Sequence, residues 1–440
     1  MTPPTPVCYA VPSYEVAGQR LGSGSMRARA RDTTVLTVGA ALNGLLAYVL
    51  FSLTTRALGA EAAAPVSVLW TYWSFSAAAL TFPLQHWIAR SVAAHGGEGA
   101  VHRALPRIAS LVAVTGALAG LVAWLTREAL FHRGDAAFPI LVGCVTLGAG
   151  FVGVVRGGLS ARHRFGGVAA VLVAENGSRC VAALALALAG VQSPVAYGIC
   201  LAGGALVGFL WPSSFRFSRD EARDAADSPL RFVSGAAGGQ LIGQAVLVSG
   251  PVVLVLSGGS AAQVTALFAG MALFRAPYTF AIGLVSQLTG RLTRLVVEQR
   301  YAVWRRLRAL VMAAAVVSSA VAAAVGGGAG PFLVRLVFGQ EVRIEWFPSM
   351  LVGIGSALAL VNLVVTIMLL AQGRSVAVAR AWVLGSLGGA LLFVLVAAQE
   401  PMTRTCWAFV AAEGLSFAAL TVEELRGWSA RRLSSGTGGG

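Results

Sequence analysis

The segment MALFRAPYTFAIG (271–283) sets Arg275 in otherwise apolar surroundings, with Pro277 two residues later. A charge near the centre of a spanning helix costs roughly 2.5–3.5 kcal/mol on insertion scales, so such a group faces a partner or a wet cavity. At the helical period Thr279 and Ser286 fall on the same side as Arg275 and make one polar stripe. Pro277 lacks an amide donor and favours a kink beside that stripe. Two readings stay open: Arg275 binds an anionic group in a cavity, or it is a structural charge satisfied by helix carbonyls or by Glu175 or Glu413.

Other polar residues pose the same question. Glu175 and Arg179 in AENGSRC are spaced i, i+4 with the acid first, the favourable order for an ion pair that locks its own helix, and Asn176 lies beside them. The alternative is that they line a cavity. Gln240 and Gln244 share one face, Asn43 shares one with Thr54, and Asn362 stacks on Thr366. Each pair is interhelical glue or cavity wall. Glu413 stands without an acidic or basic neighbour in its apolar run. It is a candidate proton or cation site, with a salt bridge to Arg275 or Arg179 as the plainer reading.

These residues need elements that hold them in a membrane. The chain has 440 residues, 57% hydrophobic and 12% charged, with a mean hydropathy of +0.75. Apolar segments, most of them about 20 residues, fall at about 33–55, 66–89, 108–126, 137–155, 168–190, 194–212, 232–257, 262–287, 309–329, 347–371, 376–398 and 403–423. The expected fold is an all-α polytopic membrane protein with about twelve transmembrane helices. The net charge of +15 comes from arginine, since the 33 basic residues include no lysine. Most arginines outside the helices fall on the side of the termini; Arg56, Arg127, Arg133, Arg335, Arg343 and Arg404 fall on the other. The positive-inside rule then predicts a multi-pass protein of the plasma membrane with both termini cytoplasmic. The basic loops fit a lipid surface better than nucleic acid, which is not expected as a partner.

The chain also repeats. FPILVGCVTLGAGFVGVVRGGLSARHR (138–164) matches FPSMLVGIGSALALVNLVVTIMLLAQGR (347–374), and IARSVAAHGGEGAVHRAL (88–105) resembles TGRLTRLVVEQRYAVWRRL (289–307). Matching copies run in the same direction, so two six-helix lobes related by a parallel pseudo-two-fold repeat are expected. The boundaries read as a disordered extension at 1–31, lobes at 32–212 and 232–425, a linker at 213–231 and a disordered tail at 426–440. Met26 opens MRARARDTT, a natural start, so Met1 and Met26 both stand as candidate starts.

No GxxxxGK[ST] is present, and the five histidines and five cysteines show no metal-ligand spacing. The outer loops hold no close carboxylate pair. The expectation is a transporter, not an enzyme, with no cofactor and no metal. Trp70, Trp73, Trp87, Trp211, Trp346, Trp407 and Trp428 mostly fall near helix ends and read as interfacial anchors.

TTRALGAE (54–61), GGLSARHRF (157–165), LVRLVFGQEV (333–342) and LLAQGR (369–374) resemble, in order and spacing, turns of the Wzx-type polysaccharide flippases of the multidrug/oligosaccharidyl-lipid/polysaccharide exporter superfamily. The resemblance runs from about residue 30 to 425. It implies export of a polyprenyl-pyrophosphate-linked oligosaccharide from the inner to the outer leaflet by alternating access. It also implies a cationic cavity, here Arg275, with Arg56 and Arg374 as gate or turn residues. The implied partners are the lipid-linked glycan, membrane lipids and the polymerase and glycosyltransferases of the same route. A cation-coupled drug or small-molecule antiporter is the alternative. Drug-exporting relatives often carry an acid in the first helix, where this chain has Asn43.

Overall fold

The protein was analysed as a computed structural model. It describes the backbone of residues 23–436 except 96, 220–237, 283–291, 293–294, 297 and 373. Side chains are described within 34–427, except also 93–95, 238–241, 280, 282 and 375. Among the described residues every regular element is helical. The first half comprises α1 (Ser23–Ala62), α2 (Ala64–Ser76), a π-helical turn (Ala77–Thr81), α3 (Phe82–His95), α4 (Gly99–Leu125), the short α5 (Arg127–Phe131), α6 (Ala137–Ala161), α7 (Phe165–Leu188) and α8 (Pro194–Gly203), which a 3-10 turn extends to Leu210. The second half comprises α9 (Gly238–Val248), α10 (Gly250–Leu256), α11 (Ala261–Phe274), α12 (Ala276–Ile282), α13 (Tyr301–Gly328), α14 (Gly330–Phe338), α15 (Trp346–Ala371), α16 (Ser375–Leu395) and α17 (Pro401–Gly436).

Among the described residues, eight helices are long and apolar enough to cross a membrane. The other expected crossings are composite. The second is α2, the π turn and α3; the sixth is α8 with its 3-10 extension; the seventh is α9 and α10; the eighth begins as α11 and α12. Broken helices are tolerated at membrane depth where protein or a wet cavity satisfies the freed backbone. Two boundaries differ from the sequence reading. α1 starts at Ser23 and α17 continues to Gly436, so 23–31 and 426–436 are helical, not disordered. Arginine and alanine are strong helix formers, and in RARARD and SARRL neither glycine nor proline intervenes to stop the helix. Residues 1–22 and 437–440 lie outside the described residues.

The same pairs of helices pack in each half. α1 lies along α7 as α9 lies along α16; α4 lies along α6 as α13 lies along α15; α2 and α3 cover α6 as α11 and α12 cover α15. Each half is thus one lobe built on the same plan. The lobes meet through α1, α2, the π turn and α5 on one side and α9 to α12 and α14 on the other. One apolar core runs through both lobes at this contact, where Phe51, Trp70, Phe268 and Phe338 interlock with ring centroids 4.5–6.0 Å apart. That contact lies towards the end of the bundle away from the chain termini, here the distal end. Nearer the termini, at the proximal end, α3 packs on α4 and α6 of its own lobe, and the smaller cores stay within single lobes.

Polar edges reinforce the distal contact. Tyr48, Ser52, Thr55 and Arg56 recur at helical spacing on α1. Their side chains donate to backbone carbonyls of the other lobe: Tyr48 to Ala272, Ser52 to Val337 at 2.5 Å, Thr55 to Phe338 at 2.6 Å and Arg56 to Leu336 at 2.5 Å. Thr265 of α11 returns one to Ala60 at 2.6 Å. Close approach needs two glycines at positive φ: Gly59 (φ 77°) faces the Glu341 carboxylate, and Gly339 (φ 112°) faces the stem of Arg56.

At the proximal end, matching clamps tie each lobe's own loops. Arg162, after α6, donates to both oxygens of Glu98 at 2.7 and 2.9 Å and to the carbonyls of Ser213 and Arg216. Arg374, after α15, donates to the carbonyl and the carboxylate of Glu423 on α17, the latter at 2.7 Å. The hydrogen bond from Arg162, helped by the Ser218 amide, holds the Glu98 carboxyl below the usual carboxylate range against the opposing effect of burial.

Candidate functional site

The eighth crossing breaks at Arg275. Pro277 cannot donate to the carbonyl of Leu273 and crowds the residue before it, and Arg275 caps α11 while α12 restarts at Ala276. The guanidinium therefore leaves the helix at a joint rather than along a smooth face. It is half-buried between the lobes and touches a cavity of about 70 Å³ lined by Gly44, Tyr48, Phe51, Trp70, Phe268 and Thr279. A second recess on its other side is formed by Thr71, Ser74, Leu247 and Pro251. Among the described residues its one side-chain hydrogen bond runs to the Leu247 carbonyl at 3.3 Å, and no carboxylate stands within ion-pair distance. The reading in which Glu175 or Glu413 neutralises Arg275 is therefore overturned: both acids are engaged elsewhere. Thr279 shares the cavity and donates to the Arg275 carbonyl at 3.2 Å. Ser286 lies outside the described residues.

Arg179 has the opposite environment. It is 1% exposed, and its guanidinium donates to Glu175 at 2.7 Å, Asn176 at 2.8 Å and the Leu201 carbonyl at 2.9 Å. The Trp73 ring stacks on it at 4.7 Å, and Gly204 has no side chain because the arginine occupies that space. Asn176 then donates to the side chain of Asn43 on α1 at 2.9 Å. The four residues form one network that joins α1, α7 and α8. A buried pair this fully hydrogen-bonded fixes geometry, and removing one member leaves an uncompensated charge. Asn43 meets Asn176 rather than Thr54, whose hydroxyl bonds to Leu50 of its own helix at 2.9 Å.

In the second lobe Glu413 is 0% exposed. It accepts from Asn362 at 2.8 Å through one oxygen, while the other has no hydrogen-bond partner. Neither Arg275 nor Arg179 pairs with it, which overturns the salt-bridge reading. The hydroxyls of Thr366 and Ser416 are enclosed and without partners as well, so Asn362 bonds to Glu413 and not to Thr366. Gln244 donates to the Tyr278 hydroxyl at 2.8 Å. The side chain of Gln240 lies outside the described residues.

Two of the remaining expected residues are at the ends. Arg56 lies in the lobe–lobe contact at the distal end, Arg374 in the clamp within the second lobe, and Pro277 is exposed beside the break. Trp70 and Trp87 are buried and Trp73 lies on Arg179 inside the first lobe, so these three are not interfacial anchors. Nearness to a helix end carried no signal of which face packs inward, and the π turn between Trp73 and Trp87 shifts the face that follows it. Sequence reading also missed Arg156. It was placed in a loop because the apolar run ends at Val155, but α6 continues to Ala161 and Arg156 is 8% exposed.

A family model described as "Polysaccharide biosynthesis protein" matches residues 30–219, the first lobe. No curated protein matches the chain. Among solved structures, an inward-facing multidrug-resistance MATE-family transporter of the MOP superfamily superposes with a TM-score of 0.62 at 15% identity, covering 89% of this chain and 95% of that one. Lipid II flippase MurJ, in an inward closed conformation, gives a TM-score of 0.62 at 13% identity over 89% and 87%. A MOP-superfamily transporter from Pyrococcus furiosus gives 0.55 at 15% over 92% and 96%. The chain has the MOP transporter fold. The MOP fold accounts for the two lobes and the two-lobe plan of packing, and the first-lobe match agrees with the motif resemblance drawn from the sequence.

Proposed function

We propose that the protein moves a lipid-linked, phosphate-bearing oligosaccharide between membrane leaflets, with the termini on the cytoplasmic side of the plasma membrane. The observation that carries this reading is Arg275: a cation at a helix break between the lobes with no carboxylate partner among the described residues. A guanidinium offers five donors in a fixed fork suited to phosphate, and here one weak contact occupies them. The polysaccharide-biosynthesis match over the first lobe and a lipid II flippase among structures of the same fold support it. The apolar core and hydrogen bonds that join the lobes gather at the distal end, which suits a cavity that opens to the cytoplasm. Alternating access then needs the distal contact to part while the proximal faces close. The test is export of surface polysaccharide by cells carrying Arg275→Ala. Loss of export with normal membrane insertion is expected; export at the wild-type level refutes the role.

A second reading rests on Glu413, an enclosed carboxylate with one oxygen unpartnered. It would make the protein a cation-coupled exporter of small molecules. That reading expects drug resistance on expression and its loss in Glu413→Gln. Unchanged drug sensitivity in both cases rules it out.

A further inference from the structure

Arg156 is the strongest feature that the reading above leaves unused. It sits on α6, more than nine-tenths buried, and its guanidinium lies over the Phe82 ring at 5.4 Å. Its Nε is enclosed and without a hydrogen-bond partner, and among the described residues no acceptor or carboxylate bonds any of its donors. Glu175, the buried acid on the neighbouring α7, accepts a hydrogen bond at 2.7 Å from Arg179. That carboxylate serves Arg179, so among the described residues Arg156 is a buried arginine with no ion-pair partner. An aromatic face alone leaves the five donors of a guanidinium unmet. A buried cation with unmet donors is stable only where they reach water or a ligand. Its surroundings fit such a space: Phe82 and His86, one turn apart on α3, are both exposed beside it.

Depth separates Arg156 from Arg275. Arg156 is near the proximal end of α6, roughly 28 Å along the helix from its distal start, whereas Arg275 is about 20 Å from the start of α11. Arg156 is thus in the last turns of α6 and nearer the proximal end than Arg275, on the opposite lobe. We propose that Arg156 is a second anion-binding residue, which receives the phosphate ester of an amphiphile at the proximal mouth before that group reaches Arg275. This rests on the flippase reading for the role of Arg275, but the charge and geometry at Arg156 are independent of it.

The test uses the full-length protein in nanodiscs, with a short-chain prenyl diphosphate and phosphatidylglycerol as separate probes. Binding is measured for the wild type, Arg156→Gln, Arg156→Lys and Arg275→Gln, each checked for folding by thermal unfolding. Arg156→Gln is expected to weaken prenyl diphosphate binding about tenfold or more, as loss of a charge-assisted contact does. Arg156→Lys should recover most of that loss, and rising salt should weaken the wild type more than the Gln variant. Wild-type affinity in Arg156→Gln, with loss in Arg275→Gln, overturns this proposal and leaves the flippase reading standing. Loss in Arg156→Gln with wild-type affinity in Arg275→Gln supports the proposal and removes Arg275 from the site. No prenyl diphosphate binding by the wild type overturns both. Loss confined to phosphatidylglycerol assigns Arg156 to a bilayer lipid and overturns its role in substrate uptake.

Discussion

The distal contact sets how readily the lobes part, and its polar edge can be removed without touching the cavity. In the variant Ser52→Ala/Thr55→Val/Arg56→Ala three donors to the carbonyls of Leu336, Val337 and Phe338 are lost. A net side-chain hydrogen bond contributes about 1 kcal/mol. Thr55 counts for less, because its hydroxyl also bonds to Phe51 of its own helix at 3.0 Å. Arg56 is exposed, so solvent screening leaves it a few tenths. Together the three amount to about 2 kcal/mol, a shift of roughly 30-fold in the ratio of closed to open lobes. A closed form favoured by about 3 kcal/mol would go from under 1% open to roughly 15%. Spin labels at Glu128→Cys on α5 and Glu345→Cys before α15, in a cysteine-free background, span the two lobes at this end. Double electron–electron resonance should show a second, longer distance in the triple variant. Coincident distance distributions in a folded triple variant refute the view that this hydrogen-bonded edge holds the lobes together.

Two further outcomes follow from the internal networks. Arg179→Met removes three hydrogen bonds and leaves Glu175 buried and unpaired, so a loss of about 3–5 kcal/mol is expected in thermal or denaturant unfolding; Glu175→Met in the same chain should restore part of it, and an unchanged midpoint in the single variant contradicts the network. At the proximal clamp, the Glu98 carboxyl is held below its ordinary range by Arg162. A depressed folded-state value stabilises at pH above the unfolded carboxylate value, about 4.3, and that contribution fades as pH falls through the folded value. Glu98→Gln should therefore unfold earlier than the wild type at pH 7, and the gap should close in acid. A gap that persists unchanged at pH 3 refutes the linkage.

How much of this was legible beforehand differs from residue to residue. The break at Arg275 was visible because Pro277 imposes it locally, whatever the surroundings. The Glu175–Arg179 pair was visible for the same reason, since i, i+4 spacing closes the bond within one helix. Bonds between distant segments were not visible. Asn43 reaches Asn176 and Asn362 reaches Glu413 across helices far apart in sequence, and each had been matched instead to a neighbour on its own helix. Arg156 was hidden by hydropathy alone: a charge at the end of an apolar run looks like the start of a loop, and only its burial against Phe82 shows that the helix carries it inward.

The sequence by itself determined that the chain crosses the membrane repeatedly, in two copies of one plan, because apolar length and the side on which arginine falls are properties of each segment alone. It also determined which polar groups a membrane would have to accommodate. Only the tertiary structure decided which of those charges are neutralised and which remain available. That depends on which helices adjoin: Arg179 meets a carboxylate, an amide and a carbonyl, while Arg275 and Arg156 meet aromatic faces and open space.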